Sequence, residues 1–176
     1  MKIVRWIGLL ALGASSVGVV VAQSDKRLDK APGLVGTWSL ESRRDRTSDG
    51  TTQIEPSLGE TPLGLLDYDA KGHVAVQLMK RERTAASVAE PSQQTSGGTN
   101  SSSGSGSYDA YFGTYTVDGR AGTVTHHINA ALAPADVGRS LTRHFVLKGD
   151  VLTLSFQTTV HGGAVVTRVI VWRRVA

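Results

Sequence analysis

The chain has 176 residues, no cysteine and a formal net charge of +4 at pH 7, and 40% of its residues are hydrophobic. This length allows one domain, which can bury roughly 70% of the surface that its unfolded chain exposes. No disulfide can support that domain. The charge is too small and too scattered for a nucleic-acid-binding protein, so no nucleic-acid partner is expected.

Residues 1–22 are predicted to be a signal peptide. Lys2 and Arg5 give a positive start, residues 7–21 are almost wholly apolar or small, and Ala22 ends a small-residue cleavage site. A retained membrane anchor is the alternative, but the apolar run is short for a span and contains several glycines and serines. We therefore expect export to the periplasm or out of the cell, with no membrane span in the mature chain.

The mature chain is predicted to hold one domain, residues 34–176, behind a polar tether over residues 23–33. Within the domain, residues 84–107 are rich in Ser, Gly, Thr and Gln, and Glu90 is the one charge among them. Such a composition cannot bury enough apolar surface to offset its ordering entropy, so this loop is expected to be disordered. It is interpreted either as a tolerated insertion or as a mobile lid.

The N-terminal half of the domain alternates between strand patterns and turn residues. A first strand is expected over residues 34–42 and a short second strand over residues 51–54. Residues 43–50, between them, are interpreted as a charged turn. Residues 63–68 and 73–80 form a predicted hairpin around an Asp-Ala-Lys-Gly turn.

A central hairpin is predicted over residues 111–128, where two runs of β-branched and aromatic residues flank an Asp/Gly-rich connection. In the register that places Val117 opposite Val124, Tyr115 lies opposite His126. Side chains alternate along a strand, so one face of this hairpin carries a phenol and an imidazole among apolar groups.

A third hairpin is predicted over residues 141–156, with Leu147 opposite Leu152 and Phe145 opposite Leu154. Every apolar residue on the shared face agrees with this register.

A last strand is expected over residues 165–175, and no helical period of ten or more residues follows the signal peptide. The chain is therefore predicted to be all-β, with eight or nine antiparallel strands joined by hairpins. Closure into an up-and-down barrel would remove the free strand edges. A barrel of about eight strands has an interior that side chains fill, or that holds one small ligand.

Short motifs in a fixed order carry a resemblance to a known family. The motifs are Leu34-Val35-Gly36-Thr37-Trp38, Pro62-Leu63-Gly64-Leu65-Leu66-Asp67-Tyr68, Tyr111-Phe112-Gly113-Thr114-Tyr115, Val124-Thr125-His126-His127, Arg143-His144-Phe145, Gly149-Asp150-Val151-Leu152-Thr153-Leu154 and Val171-Trp172-Arg173-Arg174. With them the chain resembles the lipocalin-like domain family, small β-barrel proteins of bacteria and fungi.

The resemblance implies a lipocalin-like barrel of the type that binds small molecules. It also implies a structural closure built on Gly36 and Trp38, in which an arginine near the end of the last strand lies across the indole. Arg174 is the preferred partner of Trp38, and Arg173 is the alternative.

The side chains assigned to the inward face of the barrel are mostly apolar and include no Asp or Glu. From that face we predict ligand-binding residues Tyr68, Tyr111, Tyr115, His126, Arg143, Phe145 and Phe156. An unpaired buried polar group costs roughly 1–3 kcal/mol, so the phenols, the imidazole and the guanidinium must contact water, one another or a ligand.

Two roles remain open for Arg143, whose guanidinium keeps its charge. It either anchors an acidic or carbonyl-bearing ligand, or clasps the barrel by bonding to Tyr115, His126 and backbone carbonyls. The first role predicts that Arg143→Met folds at least as well as the parent, because apolar replacements of buried ions are often neutral or stabilising. The second role predicts a loss of stability.

We interpret the chain as an exported, monomeric barrel that binds a small, largely apolar or amphipathic molecule bearing a carboxylate, hydroxyl or carbonyl. One alternative is an isomerase or cyclase in which His126 acts as base, Tyr115 as acid, and Arg143 holds a carboxylate or enolate. Another is a filled barrel whose outer surface binds a partner protein.

No cofactor and no metal site are predicted. His126 and His127 are adjacent in a strand and point to opposite faces, so they cannot hold one ion together. His127 and His144 alone do not make a site.

Overall fold

The computed structural model describes residues 33–84, 104, 107–160 and 162–176. These residues form nine strands and one short 3-10 helix, Pro134–Asp136. The strands are β1 (Gly36–Arg46), β2 (Thr52–Ile54), β3 (Leu63–Tyr68), β4 (His73–Met79), β5 (Tyr108–Asp118), β6 (Thr123–Ala131), β7 (Ser140–Lys148), β8 (Val151–Thr159) and β9 (Val165–Arg174). The predicted all-β class is confirmed.

Three sequence predictions concern residues that are wholly or mostly outside this range. The signal peptide, residues 1–22, lies outside the described residues, as does the tether apart from Gly33. Most of the predicted disordered loop, residues 84–107, lies outside them as well. The described part of the chain contains no helix long and apolar enough to span a membrane.

Eight strands close into an antiparallel up-and-down barrel. β1 pairs with β3, the strands from β3 to β9 pair in chain order, and β9 pairs back with β1. β2 is an additional strand that pairs with residues 44–46 of β1. The prediction of a barrel of eight or nine strands is confirmed, and closure leaves no free edge among the eight.

The hairpin registers follow the sequence pattern. β5 and β6 pair Tyr115 with His126, and β7 and β8 pair Leu147 with Leu152. Gly113 lies opposite a bulge in β6, where an added Cβ would come within 1.9 Å of a backbone oxygen, so only glycine fits there.

The two ends of the barrel differ in their connections. Tight turns at residues 69–72, 119–122 and 149–150 join strands at one end, which we call the closed end. The opposite end, which we call the mouth, carries longer connections. One of them, residues 55–62, joins β2 to β3, and we call it the mouth segment.

The prediction that residues 43–50 form a charged turn is wrong for the first half of this stretch, because β1 continues to Arg46. β1 shifts its register against β9 at Glu41, which marks a β-bulge. One extra residue reverses the alternation of side chains between the two faces. Leu40 therefore faces inward before the bulge, and Arg43 and Asp45 face inward after it.

The prediction of an inward face without acids is also wrong. Asp45, Glu55 and Asp109 are buried together with Arg43 and Arg168. The bulge turns Asp45 inward, and β5 begins early enough to include Asp109 on its inward face. Glu55 reaches the interior because the mouth segment folds back over the barrel, where it buries Leu58 as well.

Candidate functional site

A small cavity lies inside the barrel. Apolar side chains form more than half of its wall, and its lining residues are Arg43, Leu66, Val76, Leu78, Tyr111, His126, Arg143, Leu154, Phe156, Ile170 and Trp172. Its volume is about 20 Å³, which is room for about one water molecule. Side chains therefore fill most of the interior.

A buried histidine between two tyrosines forms one wall of the cavity. Tyr68 Oη lies 2.6 Å from His126 Nε2, and Tyr111 Oη lies 2.8 Å from His126 Nδ1. Burial, followed by the nearby charge of Arg143, lowers the pKa of His126 well below its ordinary value. The imidazole is therefore neutral, so it donates through one nitrogen and accepts at the other.

The count of donors assigns the direction of these hydrogen bonds. Because Tyr68 does not line the cavity, we assign its hydroxyl as the donor to His126 Nε2 and Nδ1–H as the donor to Tyr111 Oη. Arg143 also donates to the Tyr111 oxygen. Because two donors already point at this oxygen, the Tyr111 hydroxyl turns its own hydrogen toward the cavity.

Arg143 has several partners. Its guanidinium lies 3.7 Å from the centre of the Phe156 ring and donates to the Thr142 carbonyl at 3.2 Å, besides its bond to Tyr111. Burial lowers the pKa of Arg143 to about 10, so it stays charged at neutral pH. These contacts favour the clasp role, with Tyr111 and Phe156 where Tyr115 and His126 were expected.

Two further lining residues carry a donor without a partner. Within the described residues, no acceptor lies within hydrogen-bond distance of Arg43 Nε or Trp172 Nε1, and both atoms are buried. Together with the Tyr111 hydroxyl, the residues around this cavity carry three such donors. A group that fits this site must accept hydrogen bonds, as a carboxylate, a carbonyl or a water oxygen does.

A cluster of buried charges lies between the cavity and the mouth. Arg168 holds Asp45 through two hydrogen bonds of 2.8 Å. Glu55 lies 3.6 Å from Arg43 and 3.7 Å from Arg168, beyond hydrogen-bond distance in both cases. Burial alone would raise the pKa of Glu55, but the charges of Arg43 and Arg168 outweigh burial and lower it, so the carboxylate is ionised.

The predicted closure residues meet at the closed end. The Arg174 guanidinium lies 4.0 Å from the centre of the Trp38 ring and donates to the carbonyls of Val35 and Gly33. At Gly36, an added Cβ would collide with Arg174, and φ is +142°. Arg173, the alternative partner, instead pairs with the exposed Glu41.

The cavity lining includes four of the seven predicted ligand-binding residues: Tyr111, His126, Arg143 and Phe156. Tyr68 does not line the cavity but is hydrogen-bonded to His126, and Phe145 is half-buried against the core. Tyr115 lies near the closed end, where its hydroxyl donates to the Asp69 carbonyl at 2.9 Å.

Among the cavity residues that the prediction missed, Trp172 and Arg43 are the two with polar side-chain groups. Trp172 shares the inward face of β9 with Arg174, so strand alternation contained the signal for it. Arg43 carried no such signal, because simple alternation from Trp38 and Leu40 places it on the outer face. Among the described residues, no three His, Cys, Asp or Glu side chains are grouped so that they could hold a metal ion.

Comparison with protein families gives a match over nearly the whole domain. The model of a lipocalin-like domain matches residues 35–175, which include all eight barrel strands. No curated protein matches the chain.

Proposed function

Because this chain belongs to the lipocalin-like domain family, we propose that it binds a small, largely apolar molecule inside the barrel through a hydrogen-bond-accepting or anionic group. One observation carries the proposal: three donors, Arg43 Nε, Trp172 Nε1 and the Tyr111 hydroxyl, belong to residues that line one interior cavity. Ligand sites in proteins are commonly apolar pockets with a few convergent polar groups. The apolar lining and these donors have that composition.

The size of the cavity limits what enters without a rearrangement. An oxygen of a carboxylate or carbonyl fits the space that one water would fill, and an apolar tail does not. The tail needs room toward the mouth, where Leu58 is buried. Binding therefore requires the mouth segment to move.

We propose the oligomeric state, location and partner that the sequence analysis favours. The chain acts as a monomer after export to the periplasm or outside, and its partner is a small hydrophobic or amphipathic molecule. The export rests on the N-terminal sequence alone.

The small cavity also favours a second candidate, a filled barrel that binds a partner protein on its outside. Phe112 is exposed on β5, and Leu132 is exposed just after the end of the neighbouring β6. Leu65 is exposed on β3, two strands from Phe112. β4 and β6 place Ala75 and Ala130 on either side of Phe112. An exposed apolar patch of this kind is typical of an interaction surface.

Calorimetric titration with octanoate, octanol and octane tests the first proposal. We expect octanoate to bind most tightly and octane most weakly, because only the carboxylate offers charged acceptors to Arg43 and Trp172. Trp172→Phe removes one donor and should weaken octanoate binding by about tenfold. Trp38→Phe makes the same change at the closed end and should leave the affinity unchanged.

Two results would contradict interior binding. If none of the three probes binds, the filled barrel is the better reading. If octanoate binds equally well to the parent and to Trp172→Phe, it does not occupy the cavity between the three donors.

A further inference from the structure

Two side chains of the mouth segment, the acid Glu55 and the apolar Leu58, are buried at the mouth of the barrel. Both are buried, at 3% and 2% exposure, although the segment lies outside the strands. We propose that these two side chains act as an internal ligand, so that a carboxylic acid with an apolar tail binds by displacing them. This inference rests on the proposed function and names the regulation of the same site.

The contacts of Glu55 with the two arginines are loose. The carboxylate is 3.6 Å from Arg43 Nε and 3.7 Å from Arg168 Nη2, whereas Asp45 binds Arg168 with two bonds of 2.8 Å. Arg43 Nε therefore has no hydrogen-bond acceptor among the described residues. The carboxylate of a bound ligand can move close enough to Arg43 Nε to accept its hydrogen bond. Such a charge-assisted hydrogen bond is stronger than one between neutral groups.

The hydrogen bonds of Glu55 lie within its own segment. The Ser57 hydroxyl donates to its carboxylate at 2.6 Å, and the backbone N–H groups of Ser57 and Leu58 donate at 3.2 and 3.3 Å. Gly59 N–H donates to the Glu55 carbonyl at 3.1 Å. Glu55 can thus leave Arg43 and Arg168 without breaking a hydrogen bond to them. The far end of the segment is held separately, where Arg44 and Arg81 donate to the carbonyls of Glu60 and Thr61 at 3.1 Å.

Charge balance requires exchange rather than addition. A ligand carboxylate that entered beside Glu55 would add one negative charge to the buried cluster, and an excess buried charge is costly. If the ligand replaces Glu55, the charge around Arg43 and Arg168 stays the same. In the same exchange, the ligand tail covers the apolar surface that Leu58 leaves.

Glu55→Gln tests the competition directly. It removes the charge that occupies the arginines, so octanoate affinity by calorimetry should rise by about tenfold, with little change for octanol. Glu60→Gln is the matched control, because Glu60 is an exposed acid in the same segment. This control should leave octanoate affinity unchanged.

A cysteine label tests the displacement without changing the charge. The chain contains no cysteine, so Leu58→Cys carries a single thiol at the buried position. Octanoate should speed its reaction with a thiol reagent at least severalfold. Leu34→Cys places a buried thiol at the closed end, and its reaction rate should not respond to octanoate.

The outcomes separate this inference from the proposed function. If octanoate binds the parent through Trp172 but Glu55→Gln binds it no more tightly, competition is wrong and interior binding stands. A labelling rate at Leu58→Cys that stays constant on saturation with octanoate also overturns the displacement. If octanoate binds neither the parent nor Glu55→Gln, both proposals fall.

Discussion

The closed end and the cavity wall use the same residue types, arginine and tryptophan, in opposite ways. At the closed end, Trp38 donates its indole N–H to the Leu34 carbonyl at 3.0 Å, and Arg174 bonds to two carbonyls above the ring. In the cavity wall, Trp172 and Arg43 are also buried but each keeps a donor without an acceptor among the described residues. Buried donors normally have partners. The closed end therefore satisfies its donors within the fold, whereas the cavity wall keeps the two donors on which the proposed function rests.

The largest expected effect tests the closed end as a stability element. Trp38→Ala removes a fully buried aromatic side chain and should lower the free energy of unfolding by about 3–5 kcal/mol. Urea unfolding followed by circular dichroism measures this loss. Phe112→Ala, an exposed aromatic position, should cost far less; equal losses would mean that Trp38 is not part of the core.

Arg143→Met tests whether the middle of the barrel resembles the closed end. The substitution leaves the Thr142 carbonyl and the Tyr111 oxygen without their guanidinium donor, so we expect a loss of about 1–3 kcal/mol. Arg173→Met, at an exposed ion pair, should change stability by less than about 1 kcal/mol. A variant of Arg143 as stable as the parent would restore its role as a ligand anchor.

The pH dependence of stability should show the buried imidazole. The pKa of His126 in the folded state lies well below its ordinary value because of burial, so between that value and about 6.5 the unfolded chain binds more protons. Stability should therefore fall as the pH is lowered from about 6.5, by up to about 1.4 kcal/mol per pH unit.

The variant His126→Gln and the carboxyl group of Asp69 separate the pH effect of His126 from that of other titrating groups. His126→Gln should flatten the profile above about pH 5, where most carboxyl groups remain ionised. At the closed end, hydrogen bonds from His73 and Lys71 hold the pKa of Asp69 at about 2. Its stabilisation is lost as the pH falls toward that value. A flat parent profile between pH 5 and 6.5 would contradict a neutral, buried His126.

The smallest expected effect sharpens the comparison most. Trp38→Phe and Trp172→Phe remove the same atoms from two buried sites, but only Trp38 loses a hydrogen bond. We expect Trp38→Phe to cost about 1 kcal/mol more than Trp172→Phe, because it leaves the Leu34 carbonyl unpaired. Equal unfolding free energies of the two variants would show that the closed end and the cavity wall do not differ in this way.

Strand alternation and turn residues were enough to predict the barrel and its hairpin registers. Tyr111, His126 and Phe156 could be placed on the inward face because a period of two is undisturbed in β5, β6 and β8 over these positions. The prediction stopped at the charged residues of β1. A run such as Arg43 to Asp45 has the composition of an exposed turn, and its burial depends on partners from distant strands and on the mouth segment.

The site also depended on contacts that no local pattern contains. The Tyr68 hydroxyl reaches His126 from a strand 58 residues away, and Arg168 reaches Asp45 across 123 residues. Tyr115 faces His126 across the ladder, yet its hydroxyl turns to the Asp69 carbonyl. Backbone register could be predicted from the sequence, but the direction of these long polar side chains could not.

The bulge at Glu41 divides β1 into two halves in which the side chains of opposite parity point inward. Before it, even-numbered residues form the wall around Trp38; after it, odd-numbered residues supply Arg43 and Asp45. Loss of one residue at this point would turn both charges to the solvent and bring their neighbours inside, without altering any other strand. One inserted residue therefore lets a single strand supply apolar side chains to the closed end and charged side chains to the interior nearer the mouth. Each half of the strand can then change in sequence independently of the other.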